Sequence, residues 1–270
     1  MTLNDRPTRG GAAGEFAVAI DEIRAAATFL TRLPARYTGS DTNRAPDFRS
    51  GARVFPVVGA LVGLAGGVVL VVAMALGIPA LVAAALAVAT TAALTGGLHE
   101  DGLADMADSF GGSTTERKLE IMDDSRVGTY GALAIVLSVA IRVAALGAIA
   151  STGAVRAALA LIAAEAVSRA ALVRLWHDLP AARSGLSTDT GPPDQNAMLL
   201  ALGIAAVIAV LVGVPALGLW ATLLGAALAA GATWVTIRLT AQTLGGRTGD
   251  TLGACQQAAV IAFLVGASAT

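Results

Sequence analysis

Long stretches of hydrophobic residues, separated by short polar connections, dominate the chain from residue 54 onward. Each stretch approaches the roughly 20 residues that an α-helix needs to cross the hydrocarbon core of a bilayer. The stretches lack the polar stripe at helical spacing that is typical of surface helices in soluble proteins. The pattern therefore predicts an all-α fold, a polytopic transmembrane helical bundle. Its spans, about seven, are predicted at residues 54–76, 80–98, 130–150, 154–176, 197–212, 217–240 and 255–269.

Two segments precede the first predicted span. Residues 1–14 are small, polar and glycine-rich, and we expect them to form a disordered tail. Residues 16–33 predict an amphipathic helix, with Phe16, Ile20 and Ile23 on one side, that lies in the membrane interface or packs on the bundle. A proline ends this helix, and a polar linker follows it. We expect residues 15–270 to form a single integral-membrane domain.

The polar connections alternate between two classes along the chain. Three are short and uncharged (77–79, 151–153 and 213–216), whereas the other three hold most of the ionisable residues (99–129, 177–196 and 241–254). The charged connections share one side of the predicted membrane with the N-terminal segment, which contains eight arginines within 53 residues. The positive-inside rule assigns this side to the cytoplasm. We therefore expect a multi-pass protein of the cell (inner) membrane, with its N-terminus and chemistry facing the cytoplasm.

Composition supports the membrane assignment and excludes several other classes. The chain is 56% hydrophobic and 14% charged, whereas a soluble domain is typically about 25% charged. Its mean hydropathy is +0.73. A net charge of −1 gives no basic field for nucleic acid. The lone cysteine, Cys255, excludes an intrachain disulfide and a multi-cysteine metal cluster, and we interpret it as a small apolar helix residue.

An acidic segment carries the strongest chemical signal, because eight of the 19 acidic residues fall between Glu100 and Asp124. If this segment is helical, Asp101, Asp105 and Asp108 share one face, where like charges repel. A bound cation would relieve the repulsion, and ligands that are all oxygen favour Mg²⁺ or Mn²⁺ over zinc. The alternative is a solvated acidic loop in which Asp101 or Asp108 caps a helix.

The neighbours of these aspartates leave further alternatives open. Glu100 is either an additional metal ligand or an exposed side chain. His99 is a general base, a donor to phosphate or a hydrogen-bonding partner of the carboxylates. Within the predicted spans, Glu165 and Arg169 are four residues apart and are expected to pair. Arg142 also needs a partner or a water-lined surface inside the bundle.

Three polar segments are candidates for binding a phosphorylated substrate. Arg126 lies among aspartates and either clamps a phosphate or forms a surface ion pair, and Arg117 has the same two interpretations. The glycine-rich segment 245–254 precedes a predicted helix, where free N–H groups favour anions. There Gly246 and Gly249 would approach phosphate, Arg247 would bind diphosphate and Asp250 would complete the metal site. In the loop 183–188, the candidate substrate contacts are Ser184 and Gly185.

These motifs resemble the cobalamin synthase family. The His-x-Asp-Gly-Leu-Ala-Asp-x-x-Asp pattern of that family is met at every fixed position of residues 99–108. The resemblance also covers residues 29–34, 55–59, 97–131 and 245–254, and thus extends over nearly the whole chain after the N-terminal tail. Position 100 departs from the family, which more often carries an apolar residue where Glu100 stands here.

The resemblance implies a Mg²⁺-dependent ribazoletransferase. A ribose hydroxyl of α-ribazole, or of its 5′-phosphate, would attack the cobinamide-linked phosphate of adenosylcobinamide-GDP. GMP would leave, and adenosylcobalamin or its 5′-phosphate would form. The small-molecule substrates and the lipid bilayer would be the partners, with no nucleic acid; association as a homo-oligomer or with other corrinoid enzymes stays open. The site would consist of Asp101, Asp105, Asp108 and His99 as catalytic residues, of which the three aspartates also bind metal.

Two other classes of membrane protein remain as alternatives. CDP-alcohol phosphotransferases also use Mg²⁺ and several aspartates at the membrane face. Their Asp-Gly-x-x-Ala-Arg signature, however, is not met from Asp105 onward. A transporter would more often carry polar groups at mid-membrane and paired broken helices, whereas the polar residues here gather at one face.

Overall fold

The computed structural model describes residues 12–33, 48–183 and 191–269. These residues form helices joined by short turns, together with an isolated bridge between Ala181 and Arg247, so the all-α prediction is confirmed. The helices are α1 (Ala12–Leu30), α2 (Phe48–Gly51), α3 (Phe55–Ala75), α4 (Ala80–Thr95), α5 (Leu98–Ser109), α6 (Thr115–Met122), α7 (Thr129–Thr152), α8 (Ala154–Asp178), α9 (Gln195–Ile208), α10 (Val214–Leu217), α11 (Leu219–Leu244) and α12 (Gly249–Ser268).

By length and composition, five described helical segments can cross a membrane, or six if one bent pair counts as a span. All seven segments predicted as spans are helical. Helix α4 qualifies as a membrane span only together with α5, and α8 does not qualify as one. The five that qualify are Phe48–Ala75, Thr129–Thr152, Gln195–Leu217, Leu219–Leu244 and Gly249–Ser268. The chain is therefore a multi-pass helical bundle with fewer clear spans than the hydrophobic pattern predicted.

Helix α4 stops short of the predicted boundary because two glycines break it. Gly96 and Gly97 have φ values of +66° and +71°, in the left-handed region where glycine has no steric penalty. The chain turns there by 89°, and α5 departs from the direction of α4. This turn places α5, which contains the acidic segment, across the end of the bundle.

Helix α8 is the central helix of the bundle, and it carries charged residues along its length. Glu165 and Arg169 are buried in its middle and form the expected ion pair. Glycines on α3 allow the two helices to pack closely: a Cβ at Gly63 would lie 2.8 Å from the Ile162 Cα. Small residues of this kind let transmembrane helices approach backbone to backbone. Because neighbouring helices enclose α8, it need not be apolar enough to face lipid.

The N-terminal helix packs on the bundle, one of the two positions predicted for it. An aromatic cluster joins it to three other helices, and the rings of Phe29 on α1 and Trp176 on α8 stack with centroids 5.5 Å apart. The Glu22 carboxylate also accepts a hydrogen bond of 3.0 Å from Arg53. The helix begins at Ala12, four residues before the predicted start. Residues 1–11 and 34–47, which include most of the predicted tail and linker, lie outside the described residues.

Candidate active site

The acidic helix α5 lies directly against the first turn of α12. A Cβ at Gly102 would come within 2.6 Å of the Asp250 carbonyl oxygen. On the facing helix, a Cβ at Gly253 would come within 3.2 Å of the His99 Cα. Two glycines thus allow backbone contact between segments that lie far apart in sequence. This contact brings the glycine-rich segment 245–254 to the acidic segment, as the sequence predicted.

Asp101, Asp105 and Asp108 share one face of α5, since about 3.6 residues per turn place positions i, i+4 and i+7 together. Asp101 is exposed and Asp105 is partly buried. Burial, followed by the charges of Asp101, Asp250 and Asp108, raises the pKa of Asp105 to about 7, and the charge of Arg183 opposes this. The predicted crowding of negative charge on this face is therefore present. We call these three aspartates and Asp250 the acidic face.

Asp250 joins the acidic face from the start of α12, next to the helix cap. Thr248 is the N-cap of α12, and its hydroxyl donates to an Asp250 carboxylate oxygen at 3.2 Å. The Arg183 guanidinium lies 3.4 Å from the same carboxylate and also pairs with Asp123. Arg183 is thus the cation of the acidic face. The sequence named it only as the first residue of the candidate substrate loop 183–188.

Asp108 occupies a capping position at the start of α7. Its two carboxylate oxygens accept hydrogen bonds from the backbone N–H groups of Gly128, at 2.7 Å, and Gly131, at 2.8 Å. These N–H groups belong to the first turn of a helix, where a carboxylate is favourable. Asp108 therefore acts as a helix cap, as one of the two alternatives predicted. Each carboxylate oxygen keeps a further lone pair, through which it could still bind a metal ion.

Glu100 points away from the acidic face, about 100° around the helix from Asp101. Its carboxylate pairs with Arg142 at 3.0 Å and accepts a hydrogen bond from Gln257 at 3.1 Å. The Arg142 side chain is only 3% exposed, and that of Glu100 is 12% exposed. Neither of the two interpretations of Glu100, metal ligand or exposed side chain, matches this position. Glu100 instead supplies the partner that Arg142 requires inside the bundle.

His99 is buried in the interior, beneath the acidic face. It is 2% exposed, and among the described residues no hydrogen-bond partner reaches its Nε2 atom. Burial, followed by the nearby charges of Arg169 and Arg142, lowers the pKa of His99 well below its usual value. The imidazole is therefore neutral at physiological pH. Within the described parts of the chain, no hydrogen bond joins it to the carboxylates, and its burial argues against its prediction as the general base.

The acidic face fits a hard divalent cation by donor type, but it is not a complete metal cage. Among the described residues, no group of three or more His, Cys, Asp or Glu side chains is placed to hold a metal ion. Mg²⁺ usually binds through one or two carboxylates, with waters and substrate phosphates as the other ligands. Asp101 and Asp105, separated by one helical turn, offer such a pair. The magnesium prediction stays a prediction.

A polar cavity of about 440 Å³ lies beside Asp108, between α6 and the start of α7. Arg117 and Arg126 both line it, together with their acidic partners Glu120 and Asp124. The Arg126 side chain is 86% exposed and forms a two-pronged pair with Asp124, which lowers the pKa of Asp124 to about 2. The surface ion pairs predicted as alternatives are present, and they lie within a cavity large enough for a ligand.

Arg247 is directed into the protein rather than toward solvent. It is 3% exposed, and its guanidinium donates to the Leu179 carbonyl. Its backbone bonds to Pro180 and Ala182, and a Cβ at Gly246 would lie 2.7 Å from the Pro180 carbonyl oxygen. Residues 246 and 247 join the segments 179–182 and 245–248 in this structure, and the diphosphate contacts predicted for them stay a prediction.

Two other predicted substrate contacts have different outcomes. Gly249 is the first residue of α12, and a Cβ there would meet no atom of the described residues within 4 Å; its predicted contact with substrate stays a prediction. Ser184 and Gly185 lie outside the described residues.

Comparison with known proteins supplies the remaining evidence on identity. The family model described as cobalamin-5-phosphate synthase matches residues 22–268. A protein of Azorhizobium caulinodans is 46% identical over 248 residues, or 91% of this chain and 94% of the relative. A protein of Rhizobium etli is 46% identical over 91% of this chain and 95% of its own. Both are named adenosylcobinamide-GDP ribazoletransferase, as is a Brucella melitensis protein that is 42% identical over 88% of this chain and 92% of its own.

The chain belongs to the cobalamin-5-phosphate synthase family. The family resemblance seen in the sequence is thereby confirmed. No solved structure shows a significant match to this chain.

In this chain the family motif presents two kinds of residue on opposite sides of α5. The exposed side of α5 presents the aspartates, whereas its inner side contacts a buried polar network. In that network, Gln256 on α12 donates to Ser168 at 2.9 Å, and Gln257 donates to Gln256 at 3.0 Å. The motifs of the sequence include neither glutamine. Two adjacent amides in an apolar helix are the signal that would have identified them.

Proposed function

We propose that this chain is an adenosylcobinamide-GDP ribazoletransferase. It would transfer the adenosylcobinamide-phosphate group of adenosylcobinamide-GDP to α-ribazole or its 5′-phosphate and release GMP. The observation that carries the proposal is the composite acidic face, in which Asp250 of α12 joins Asp101 and Asp105 of α5 beside an arginine-lined cavity. Acidic and cationic groups placed side by side suit a reaction that moves a phosphoryl group.

In this proposal Asp101 and Asp105 hold a Mg²⁺ ion, with Asp250 next to them. When bound, the cation supplies positive charge to the phosphate oxygens at which negative charge accumulates. The donor set supports this assignment, because it is all oxygen, and because burial followed by the charges of the neighbouring carboxylates raises the pKa of Asp105 to about 7. Glu100 is not included, since its carboxylate pairs with Arg142.

The arginines of the site bind and orient the phosphates of the substrate. Arg126 and Arg117 line the 440 Å³ cavity next to Asp108, and an arginine can hold a phosphate through two parallel hydrogen bonds. Their acidic partners would release them when a phosphate with more charge enters. Arg183, already next to Asp250, lies between this cavity and the start of α12. It would hold a phosphate against the acidic face.

The proton of the attacking hydroxyl passes to a carboxylate of the acidic face. His99 is a poor candidate, because it is buried on the other side of α5. A carboxylate that does not hold the cation is suited to accept this proton, and Asp250 is the candidate because burial raises its pKa toward neutral pH.

The membrane orientation follows the same proposal. Two contacts gather helix ends at one end of the bundle. Arg247, between α11 and α12, donates to the Leu179 carbonyl at the end of α8. Gly102 of α5 packs against Asp250 at the start of α12. The arginine-rich N-terminal segment belongs to this end by the sequence of spans. We propose that the acidic face opens to the cytoplasm from the inner membrane.

Purified full-length protein in liposomes tests the proposal. Adenosylcobinamide-GDP and α-ribazole should give GMP in equal amounts with a cobalamin product, in a reaction that EDTA stops and excess Mg²⁺ restores. The variant Asp101→Asn should lose most of this activity. Asp21→Asn, which alters an exposed aspartate 3.4 Å from Arg24 on α1, is the matched control and should retain it. Release of CMP from CDP-diacylglycerol, with no GMP, would instead support the phospholipid-synthase alternative.

A further inference from the structure

An elongated cavity of about 840 Å³ lies between α8, α9 and α11, outside the acidic face. Half of its lining residues are alanines, contributed by all three helices. Transmembrane helices associate through close packing, without a hydrophobic driving force between them. A void of this size forfeits the dispersion contacts of its walls unless something fills it. The cavity therefore calls for an occupant that is itself apolar.

The cavity is deep, and its walls are apolar over most of that depth. Along α11 it extends from Ala226 to Ala241, which at 1.5 Å per residue is about 22 Å. Ala205 and Ala206 line it on α9, and Ala209 lines it directly after that helix. Its deeper part offers few polar groups, and the buried Thr233 hydroxyl donates to its own helix at the Ala229 carbonyl. Half of a hydrocarbon core is about 15 Å thick, so the cavity spans one leaflet.

The polar residues of the cavity gather at one end. Arg174, Asp178 and Arg238 line this mouth, which carries a formal charge of +1. The Arg238 guanidinium lies 5.5 Å from the ring centre of Trp234, and that tryptophan is 59% exposed. Arg238 lies within the last two turns of α11, from which a long arginine side chain reaches the headgroup level of a membrane. A cationic mouth above an apolar slot matches a lipid with an anionic headgroup.

We propose that this cavity binds an anionic phospholipid, with one acyl chain between α8, α9 and α11 and the phosphate at Arg238 and Arg174. Arg174 pairs with Asp178 at 2.7 Å, so Arg238 provides most of the attraction for the headgroup. A corrinoid substrate fits less well, because its polar amides would enter an alanine-lined slot without partners. The proposal does not depend on the enzymatic reaction.

The lipid site is connected to the acidic face by a short segment. Leu179 lines the cavity, and its carbonyl accepts the hydrogen bond from Arg247. Arg247 is followed directly by Thr248, the cap of α12. Because Leu179 follows Asp178 at the mouth of the cavity, a lipid bound there would fix the segment that joins α8 to the active-site end of α12.

Native mass spectrometry of the full-length protein, titrated with phosphatidylglycerol or phosphatidylcholine, tests the proposal. One phosphatidylglycerol should bind per chain, in preference to phosphatidylcholine. An arginine near an anionic surface contributes attraction worth about a fivefold change in affinity, so Arg238→Gln should lower the preference by about that factor. Arg24→Gln, which removes an exposed arginine of α1, should leave it unchanged. Equal binding of both lipids, or an unchanged preference in Arg238→Gln, would overturn the proposal.

A second pair of variants tests the slot itself. Ala206 lines the cavity, whereas the adjacent Val207 is 56% exposed and does not. Ala206→Phe should displace the bound phosphatidylglycerol, and Val207→Phe should retain it, with both proteins eluting as folded particles. Retention of the lipid by folded Ala206→Phe would contradict the proposal. A wild-type protein that forms a dimer and releases its lipid on dimerisation would also contradict it, since a second copy would then occupy the slot.

Discussion

Gly102 of α5 and Asp250 of α12 approach so closely that a Cβ at position 102 would lie 2.6 Å from the Asp250 carbonyl oxygen and 3.0 Å from its Cα. The obstructing atoms belong to the backbone, so a side-chain rotation could not relieve the contact. This single approach determines whether the acidic segment and the glycine-rich segment form one site.

Gly102→Ala should therefore separate α5 from α12 and abolish most activity. Alanine favours a helix over glycine by about 1 kcal/mol, so local propensity alone would make this change stabilising. A misplacement of about 1 Å can reduce a rate by about 100-fold, and we expect a loss of that size in kcat. The measurement is GMP release by protein whose folding has been verified by size-exclusion chromatography.

Gly203→Ala is the matched control, because a Cβ at that position of α9 would meet no atom within 4 Å. It should retain wild-type activity. If Gly102→Ala behaved in the same way, the contact between α5 and α12 would not define the site.

The Mg²⁺ requirement should depend on pH through Asp105. Its pKa of about 7 in the metal-free site means that protons compete with the cation below this pH and no longer compete above it. The Mg²⁺ concentration for half-maximal activity should rise about tenfold per unit below pH 7 and become constant above pH 8. Titrations with Mg²⁺ at several pH values between 6 and 9 measure this. The same Mg²⁺ requirement at pH 6 and pH 8 would exclude Asp105 as a ligand.

Glu100 and Arg142 should act as a buried pair that stabilises the fold. Removing one partner of such a pair leaves an uncompensated charge and costs about 3–5 kcal/mol. Glu100→Gln and Arg142→Gln should each lower Tm strongly, and the double variant should lose less than the sum of the two. Intrinsic tryptophan fluorescence during heating provides the measurement. Additive losses would show that the two side chains do not interact, and the separation of Glu100 from the acidic face would lose its support.

Arg183→Gln should weaken binding of the nucleotide substrate. The arginine lies beside Asp250 and Asp123, and a hydrogen bond to a charged group contributes about 1.5–3 kcal/mol. We expect KM for adenosylcobinamide-GDP to rise at least tenfold, with a smaller change in kcat and partial recovery in Arg183→Lys. Steady-state kinetics with Arg24→Gln as the control test this. An unchanged KM would remove Arg183 from the substrate site.

The sequence predicted the helical class and the acidic face because both follow from periodicity. Apolar stretches of span length fix the bundle, and the spacing of Asp101, Asp105 and Asp108 fixes their common side. The contact with Asp250 was also predicted, from the alternation of loops across the membrane. In each case a one-dimensional pattern was sufficient.

Other features could not be read from the sequence because they depend on packing. Arg247 and Gly246 resemble a phosphate loop in sequence, but the approach of the segment 179–182 buries them. Glu100 faces the interior because α7 supplies Arg142, a partner 42 positions away. Asp108 caps α7 only because the chain returns at Gly128. The bend at Gly96 and Gly97 likewise required the three-dimensional backbone.

The central claim is that Asp101 and Asp105 form a cation site that supports transfer to ribazole. The most direct measurement is the rate of GMP release from adenosylcobinamide-GDP and α-ribazole, as a function of Mg²⁺, by Asp105→Asn and wild-type protein in the same liposomes. We predict saturable Mg²⁺ activation of the wild type and a loss of at least 100-fold in the variant that higher Mg²⁺ does not restore. Near-wild-type turnover by Asp105→Asn at saturating Mg²⁺ would contradict the account.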